Sequence, residues 1–471
     1  MILKDDILMD RSKSLIKNTL ILGVGTIFSK CLVFIMIPFF SRWLSTNDYG
    51  TFDLYTTYIS LMIPILTLAC GEAVFRYLID GDDEEKKSIT AAGNLIVTVG
   101  SIIGSIAVAV IWIVTGQNYM LPFICCLIAE VLNNYLQAFL RGIKRLDVYA
   151  ISNVICMFLV AVFVTINVKF LDLGLAGMLF GYAFAYIIND LYMAMWGKIW
   201  RYSDFHKLSR KYIKDIIVFS IPLIPNSIAW WIVNASDRVI ISEQIGNVYN
   251  GIYAIANKMP QICTVMFSVF QVSWNQNASE AINDKDRNEY FSKVLNNMIK
   301  IVTSICVCVL ACNFIVFDYI MDEKYYSAYY QVPVLVAATI FTVISQYFGG
   351  IFIGLKNPKV NGGTTIVAAF INVLLNVIAI RYFGLYAASF STLVAFMVLC
   401  AIRWMYMKKD IKISIKFSTL GYAVMFIYFS VIVYVNNKVL NWINVLVAAV
   451  IFIYTNRKFI KRMVGKVLKR V

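Results

Sequence analysis

The sequence predicts an all-α polytopic membrane protein. Hydrophobic residues make up 60% of the 471-residue chain and charged residues only 15%, whereas soluble domains have about 45–50% apolar and about 25% charged residues. The apolar residues lie in long runs, and a membrane-spanning helix needs about 20 mainly apolar residues in succession. Composition and run length together exclude an ordinary soluble fold, and the placement of basic residues between the runs is a third indication.

Fourteen apolar runs are long enough to span a bilayer. The first run is long and has no small-residue cleavage site, which predicts a retained helix rather than a cleaved signal peptide. The predicted spans are residues 16–43, 52–78, 89–114, 120–141, 148–168, 173–198, 214–242, 248–279, 291–317, 329–354, 360–381, 384–407, 417–435 and 440–456.

Lysine and arginine are distributed unequally between alternate loops. With the N-terminus in the cytoplasm, the cytoplasmic segments contain 32 of the 42 basic residues, the outer loops five and the spans five. Short cytoplasmic loops of membrane proteins carry such an excess of Lys and Arg. We therefore expect both termini to be cytoplasmic, and the net charge of +15 reflects topology rather than a nucleic-acid partner.

The longest polar break, from Lys198 to Lys214, carries six basic residues. It predicts an N-terminal lobe of six helices (1–200), a cytoplasmic linker (201–213) and a C-terminal lobe of six helices (214–410). Residues 411–471 would add two further helices and a basic cytoplasmic tail.

The two lobes are predicted to be pseudo-symmetric copies. The segment Tyr49–Phe52 opens the second span and the similar segment Asn250–Tyr253 opens the eighth, an offset of 201 residues. Repeats of this kind place a transport site near the bilayer midplane, between the halves. The same repeat predicts alternating access around that site.

Polar residues recur on one face of four predicted helices, at steps of three and four residues. A single stripe of this kind commonly forms hydrogen bonds that hold neighbouring membrane helices together. Four stripes in two similar halves favour a hydrated cavity. The stripes comprise Asp53, Thr57, Ser60 and Thr67; Glu130, Asn134 and Gln137; Asn226, Trp230, Asn234 and Asp237; and Asn257, Gln261, Thr264, Ser268, Gln271 and Asn275.

Several basic residues lie within or beside the spans: Lys30, Arg42, Arg76, Arg238 and Lys258. Ionisable groups at such depths usually face a bundle interior or a wet cavity. Snorkelling to the interface is an equal alternative for the three arginines, whereas Lys30 is too deep for it. A cationic cavity would attract an anionic cargo, for which phosphate is the obvious candidate.

Two acidic residues in the spans have open roles. Asp237 either pairs with its neighbour Arg238 or contacts the cargo. Glu130 either carries a coupling proton or cation, or pairs with a buried base such as Lys30.

Glycine pairs spaced four residues apart, such as Gly100 with Gly104, predict close helix packing, and similar pairs start at Gly177 and Gly350. Pro222, Pro225 and Pro260 predict breaks in the seventh and eighth helices.

Cofactor and metal sites are not predicted. The ten cysteines form no CxxC pair, and the single histidine, His206, has no partner at ligand spacing. No phosphate-binding G-x-x-x-x-G-K-[ST] motif occurs. We therefore expect a protein without catalytic residues or ATP-driven chemistry.

The segments Ser41–Gly50 and Gly251–Lys258, the latter preceded by Asp237-Arg238, resemble the bacterial polysaccharide repeat-unit flippases of the Wzx type. These share a superfamily with the multidrug MATE exporters and the lipid II flippase. The resemblance implies two six-helix lobes, plus two C-terminal helices as in the fourteen-helix members.

The resemblance further implies a cargo of undecaprenyl-pyrophosphate-linked oligosaccharide for O-antigen, capsule or exopolysaccharide, moved to the outer leaflet of the bacterial inner membrane. Its pyrophosphate would be held by Lys30 and Lys258, and less directly by Arg42 and Arg76. Sugars would lie along the stripes, including Asn257, Gln261 and Gln271. A polysaccharide polymerase and a chain-length regulator are candidate protein partners.

Two other functions remain open. A MATE-like exporter of cationic drugs would need an acidic or aromatic cavity, which Glu130 and the Trp230-Trp231 pair could supply. A membrane polysaccharide polymerase or ligase would carry catalytic residues on a large outer loop, and every predicted outer loop is short.

Overall fold

The computed structural model describes residues 29–116 and 118–468. Throughout these ranges the regular structure is helical and includes no strand, which confirms the all-α class. The chain divides into two compact units, Met1–Trp231 and Ile232–Val471. The lobe boundaries predicted from the 201–213 linker stay a prediction.

The first unit contains eight helices and the start of a ninth. Residue Asp82 caps α4 by accepting a hydrogen bond from the Glu85 backbone while Glu85 bonds back to Asp82, a capping box. The helices are α1 (29–43 in the described part), α2 (Thr46–Leu66), α3 (Cys70–Asp80), α4 (Asp83–Thr115), α5 (Met120–Gly142), α6 (Leu146–Val164, extended by a π-helical segment Thr165–Phe170), α7 (Gly174–Gly197), α8 (Arg210–Ser220) and α9 (Ile224–Ile245).

The second unit takes the end of α9 and the helices that follow it. They are α10 (Asn247–Ala256), α11 (Lys258–Ala281), α12 (Arg287–Ile315, extended by a π-helical segment Val316–Ile320), α13 (Val332–Gly354), α14 (Pro358–Phe383), α15 (Leu385–Met407), α16 (Phe417–Val435) and α17 (Lys438–Leu468). A 3₁₀ segment, Glu323–Tyr330, connects α12 to α13.

Ten helices in the described part are long and apolar enough to cross a membrane, and the bent pair α2–α3 raises this to eleven. The protein is therefore a multi-pass membrane protein. Three predicted spans are outside this set, so the count of fourteen stays a prediction. The first begins outside the described residues, the eighth contains α11 with its polar stripe, and the apolar part of α16 is only Gly421–Val435.

Breaks in two of the predicted spans have local causes. The second span bends by 53° between α2 and α3, where Leu68 and Ala69 adopt positive φ angles of 50° and 52°. In the seventh span a 3₁₀ turn, Ile221–Leu223, separates α8 from α9. Pro222 lies in this turn and has no N–H to donate, so the predicted proline break is present there.

The predicted glycine contacts are confirmed. A Cβ atom on Gly100 would lie 1.9 Å from the Leu66 carbonyl oxygen, so α4 passes directly against the end of α2. A Cβ on Gly181 would lie 2.9 Å from the Val164 backbone nitrogen, and one on Gly354 would lie 3.0 Å from the Ala278 carbonyl oxygen. The backbones approach this closely because these glycines have no side chain.

Replacing Gly100 by alanine should destabilise the first unit. The new methyl group overlaps a backbone carbonyl, which cannot rotate away as a side chain does, and overpacking of this kind costs about 1–3 kcal/mol. Gly362→Ala is the matched control, since a Cβ there meets nothing within 4 Å. Thermal unfolding of the purified proteins measures both, and equal midpoints for the two variants would contradict the packing argument.

Candidate functional site

A polar cluster joins α5, α6 and α7 within the first unit. The Asn133 side-chain amide donates a hydrogen bond of 2.8 Å to Asp190 Oδ1. The Gln137 amide donates to Asn133 Oδ1 at 2.8 Å and to Asn153 Oδ1 at 3.4 Å. Asn133 and Asp190 are only 5% and 8% exposed, so these bonds lie inside the bundle.

Glu130 lies one turn before Asn133 on the same side of α5, and its carboxylate accepts a hydrogen bond from Tyr186 of α7. The two carboxyl groups of the cluster, Glu130 and Asp190, therefore both lie between α5 and α7. The second Asp190 oxygen, Oδ2, is buried and has no hydrogen-bond partner. Within the described part of the chain no basic side chain pairs with either acid.

A buried carboxyl group without a basic partner is costly in its charged form. Binding a proton or a small cation removes that cost. This is the property that the predicted role of Glu130 in ion coupling requires, and that role stays a prediction. The alternative partner considered for Glu130, Lys30, is exposed and makes no ion pair with it in the structure.

A second polar cluster lies in the second unit, between α9, α10, α14 and α15. The Tyr253 hydroxyl donates to Asp237 Oδ2, and the Arg238 backbone N–H donates to Asp237 Oδ1 at 3.0 Å. Asp237 is 4% exposed. In this conformation its carboxylate therefore joins α9 to α10 rather than facing solvent.

The neighbouring residue Ser236 extends this cluster towards α14. Its hydroxyl donates to Asn372 Oδ1 at 3.3 Å, and the Asn376 amide donates to the same oxygen at 3.1 Å. The Asn372 amide in turn donates to Thr392 Oγ1 of α15 at 3.4 Å. Amide and hydroxyl groups thus bond to one another away from water, and Asn376 Oδ1 is buried without a hydrogen-bond partner.

The predicted cationic residues differ in their surroundings. Lys30 and Arg42 are exposed. Arg76 is also exposed and forms an ion pair with Asp80, one turn further along α3. The Arg238 guanidinium donates to the Asn234 carbonyl of its own helix at 3.1 Å.

Lys258 is half-buried and is the first residue of α11. Only Asn257, itself in a helical conformation, separates the end of α10 from the start of α11. The carbonyl end of α10 therefore adjoins the start of α11, and any contact of Lys258 with phosphate would come from its ammonium group. Asn257 donates its side-chain amide to the Tyr253 carbonyl at 2.9 Å.

The stripe on α11 separates into two parts. Gln261 is exposed. Gln271 donates to Asn275 Oδ1 at 2.7 Å and to the Gln346 carbonyl of α13 at 3.3 Å, so it contributes to helix packing. The accessible part of the stripe is therefore its first half.

Two groups of buried polar residues were not identified from the sequence. Asp190 is an acidic residue within an apolar run. The same feature identified Glu130 from the sequence. Asn372 and Asn376 are spaced four residues apart in the eleventh predicted span and so lie on one helix face.

Replacing Tyr253 by phenylalanine should destabilise the second unit by about 1.5–3 kcal/mol, since a buried carboxylate loses a hydroxyl donor. Tyr382→Phe is the control, because that side chain is 81% exposed. Thermal unfolding measures both variants. In a double-mutant cycle, Asp237→Asn should remove most of the effect of Tyr253→Phe; additive effects would contradict a direct interaction.

Comparisons with known proteins identify the family and the fold. The family model for polysaccharide biosynthesis protein matches residues 15–274. A relative from Haloferax volcanii, the probable low-salt glycan biosynthesis flippase Agl15, is 21% identical over 88% of this chain and 87% of its own length. Lsg locus putative protein 1 from Haemophilus influenzae is 24% identical over 53% of this chain, and the match spans 62% of that relative's length.

Solved structures show the same fold. Lipid II flippase MurJ in an inward closed conformation has a TM-score of 0.66 at 14% identity, covering 94% of this chain and all of that one. An inward-facing multidrug resistance MATE family transporter of the MOP superfamily has a TM-score of 0.67 at 14% identity, covering 82% and 94%. The resemblance to this superfamily expected from the sequence is therefore confirmed at the level of fold.

Proposed function

Since the chain belongs to the polysaccharide biosynthesis protein family, we propose that it flips undecaprenyl-pyrophosphate-linked oligosaccharide repeat units from the inner to the outer leaflet of the bacterial cytoplasmic membrane. The observation that carries this proposal is the family match over residues 15–274 on a chain with a flippase and transporter fold. Both termini would be cytoplasmic, and the repeat units would supply surface polysaccharide.

The physical task of such a protein is to pass a charged, hydroxyl-rich headgroup through hydrocarbon. Hydroxyl and phosphate groups need hydrogen-bond partners throughout that passage. Polar side chains on α2 and on the first half of α11 offer such partners, among them the exposed residues Ser60 and Gln261. The polyprenyl tail can stay in the lipid.

Lys30 and Lys258 would hold the pyrophosphate. Lys30 is exposed in the first unit, and Lys258 is half-buried at the start of α11 in the second unit. Lysine contacts are flexible point charges, which favours release after transfer. Arg42 is a second candidate contact; Arg76, which is paired with Asp80 here, would first have to exchange that carboxylate for phosphate.

Movement would follow alternating access. The cluster of Glu130 and Asp190 is our candidate for energy coupling, because one half-buried and one buried carboxyl group without basic partners in the described part of the chain can take up and release a proton or cation. Uptake would change the charge between α5 and α7 and so favour one arrangement of these helices over another.

Replacing Lys30 and Lys258 together by glutamine should reduce cell-surface polymer at least tenfold in a deletion strain carrying the variant, because loss of two phosphate contacts removes about 3 kcal/mol or more. Lipid-linked oligosaccharide should accumulate, while protein abundance stays normal. The control is Lys144→Gln with Lys356→Gln, which removes two exposed lysines. Normal polymer in the Lys30/Lys258 variant would refute the assignment.

The same deletion strain separates the alternatives. An exporter would leave surface polymer intact and change susceptibility to cationic drugs. A polymerase or ligase would leave flipped, unpolymerised repeat units on the outer leaflet. Unflipped repeat units that accumulate on the cytoplasmic side support only the flippase.

Glu130→Gln and Asp190→Asn should each uncouple transport from an ion gradient. Each keeps the shape of the side chain and removes its ability to ionise. In proteoliposomes, flipping of a fluorescent pyrophosphate-linked saccharide should respond to an imposed proton or sodium gradient in the parent and in Glu323→Gln, an exposed control. An unchanged gradient response in both cluster variants would exclude the cluster from coupling.

A further inference from the structure

A connecting segment of the second unit, residues 411–416 between α15 and α16, is fixed to the side of α12 by regularly spaced hydrogen bonds. Alternate backbone N–H groups of the segment donate to side chains four residues apart on the helix. Such side chains recur about every 6 Å, close to the spacing of alternate residues in an extended chain. The pairs are Lys412 with Asn288 Oδ1 (3.2 Å), Ser414 with Ser292 Oγ (3.0 Å) and Lys416 with Asn296 Oδ1 (2.9 Å).

Two further bonds of Asn296 on α12 hold the segment and the beginning of α16 against that helix. The Asn296 amide donates to the Ser414 carbonyl at 2.9 Å, and the Thr419 hydroxyl donates to Asn296 Oδ1 at 2.6 Å. The segment is therefore held in register along α12, and its lysine side chains leave the backbone from fixed positions.

These lysines line a cavity of about 430 Å³. Lys412 and Lys416 come from the segment, and Lys293 and Glu289 come from α12. Three ammonium groups and one carboxylate leave an excess of two positive charges. In the part of the chain that the structure describes, none of the three lysines forms an ion pair.

The neighbouring apolar residues place the cavity at the edge of the hydrocarbon. Ile415 is 49% exposed and Phe417 is 88% exposed. Along α16, Val424 and Ile427 continue the exposed apolar surface. A lipid whose headgroup occupied the cavity could therefore lay its acyl chains along α16, which a free anion would not need.

We propose that this cavity binds the phosphate group of an anionic phospholipid in the cytoplasmic leaflet. The leaflet follows from the predicted topology, in which residues 408–416 are cytoplasmic. Lysines close to an anionic membrane surface contribute about 1 kcal/mol each. The helices α12 and α16 begin at Arg287 and Phe417, beside the cavity, so the positive ends of both dipoles add to the attraction. This lipid is distinct from the transported cargo.

The test measures lipid binding to the purified full-length protein. Phosphatidylglycerol, phosphatidylcholine and inorganic phosphate are titrated separately, and binding is followed by native mass spectrometry and thermal stabilisation. The variant is Lys293→Gln with Lys412→Gln and Lys416→Gln. The control replaces three exposed lysines on the same predicted side of the membrane and has the same net charge as the cavity variant. Its substitutions are Lys144→Gln, Lys214→Gln and Lys356→Gln.

Phosphatidylglycerol should bind the parent and the control with similar affinity, and the cavity variant about tenfold or more weakly, as expected for the loss of three such charges. Phosphatidylcholine should bind all three proteins equally and weakly. Equal phosphatidylglycerol binding by the cavity variant and the control would overturn the site. Displacement of phosphatidylglycerol by millimolar inorganic phosphate would show a free-anion site and refute the lipid assignment.

Two further variants apply if the triple glutamine variant does not fold. Replacing the same three lysines by arginine keeps the charges and should retain phosphatidylglycerol binding. The single variant Lys412→Gln should weaken binding about fivefold, the factor that corresponds to one lysine. Loss of binding with arginine, or no loss with the single variant, would contradict an electrostatic phosphate site.

Discussion

The structure depends on one constraint: polar and charged groups buried in a membrane bundle must find partners within that bundle. Arg403 of α15 illustrates it. This arginine is 2% exposed, and its guanidinium donates to the Ser345 carbonyl at 2.7 Å and to the Thr364 and Thr365 hydroxyls at 3.1 Å. Three helices are thereby joined by a cation that has only neutral acceptors, so its charge is solvated by protein dipoles instead of water.

The same constraint divides the polar residues of the spans into two groups. Gln271, Asn372 and Asp237 bond to neighbouring helices and hold the second unit together. Thr264 and Ser268 bond only to carbonyls of their own helix, at 2.9 and 2.7 Å. Hydroxyl groups of the second kind can turn to a passing substrate without any loss of helix packing. Helix packing and contact with a substrate, the two alternatives for the stripes, can therefore apply to different residues of the same stripe.

The fold class, the close glycine contacts and the proline break near Pro222 could be predicted because each depends on local sequence. Arg403 could not be interpreted in this way. In the sequence it is one of the basic residues that border a predicted cytoplasmic segment, whereas its burial depends on acceptors from α13 and α14. Asp190 could have been identified from the sequence as an acid within an apolar run, but its hydrogen bond with Asn133 of α5 could not. Neither pairing leaves a periodic signal in the sequence.

The predicted repeat accounts for the positions of helices better than for the positions of basic residues. At its offset of 201 residues, α2 and α10 begin at equivalent positions, Thr46 and Asn247. The counterpart of Lys258 in the first half is Thr57, a buried residue whose hydroxyl bonds to the Asp53 carbonyl of its own helix at 2.7 Å. The counterpart of Lys30 is Trp231. The predicted repeat therefore accounts for where these two helices begin, but not for the two lysines proposed to bind the anion, which lie at non-equivalent positions of the repeat.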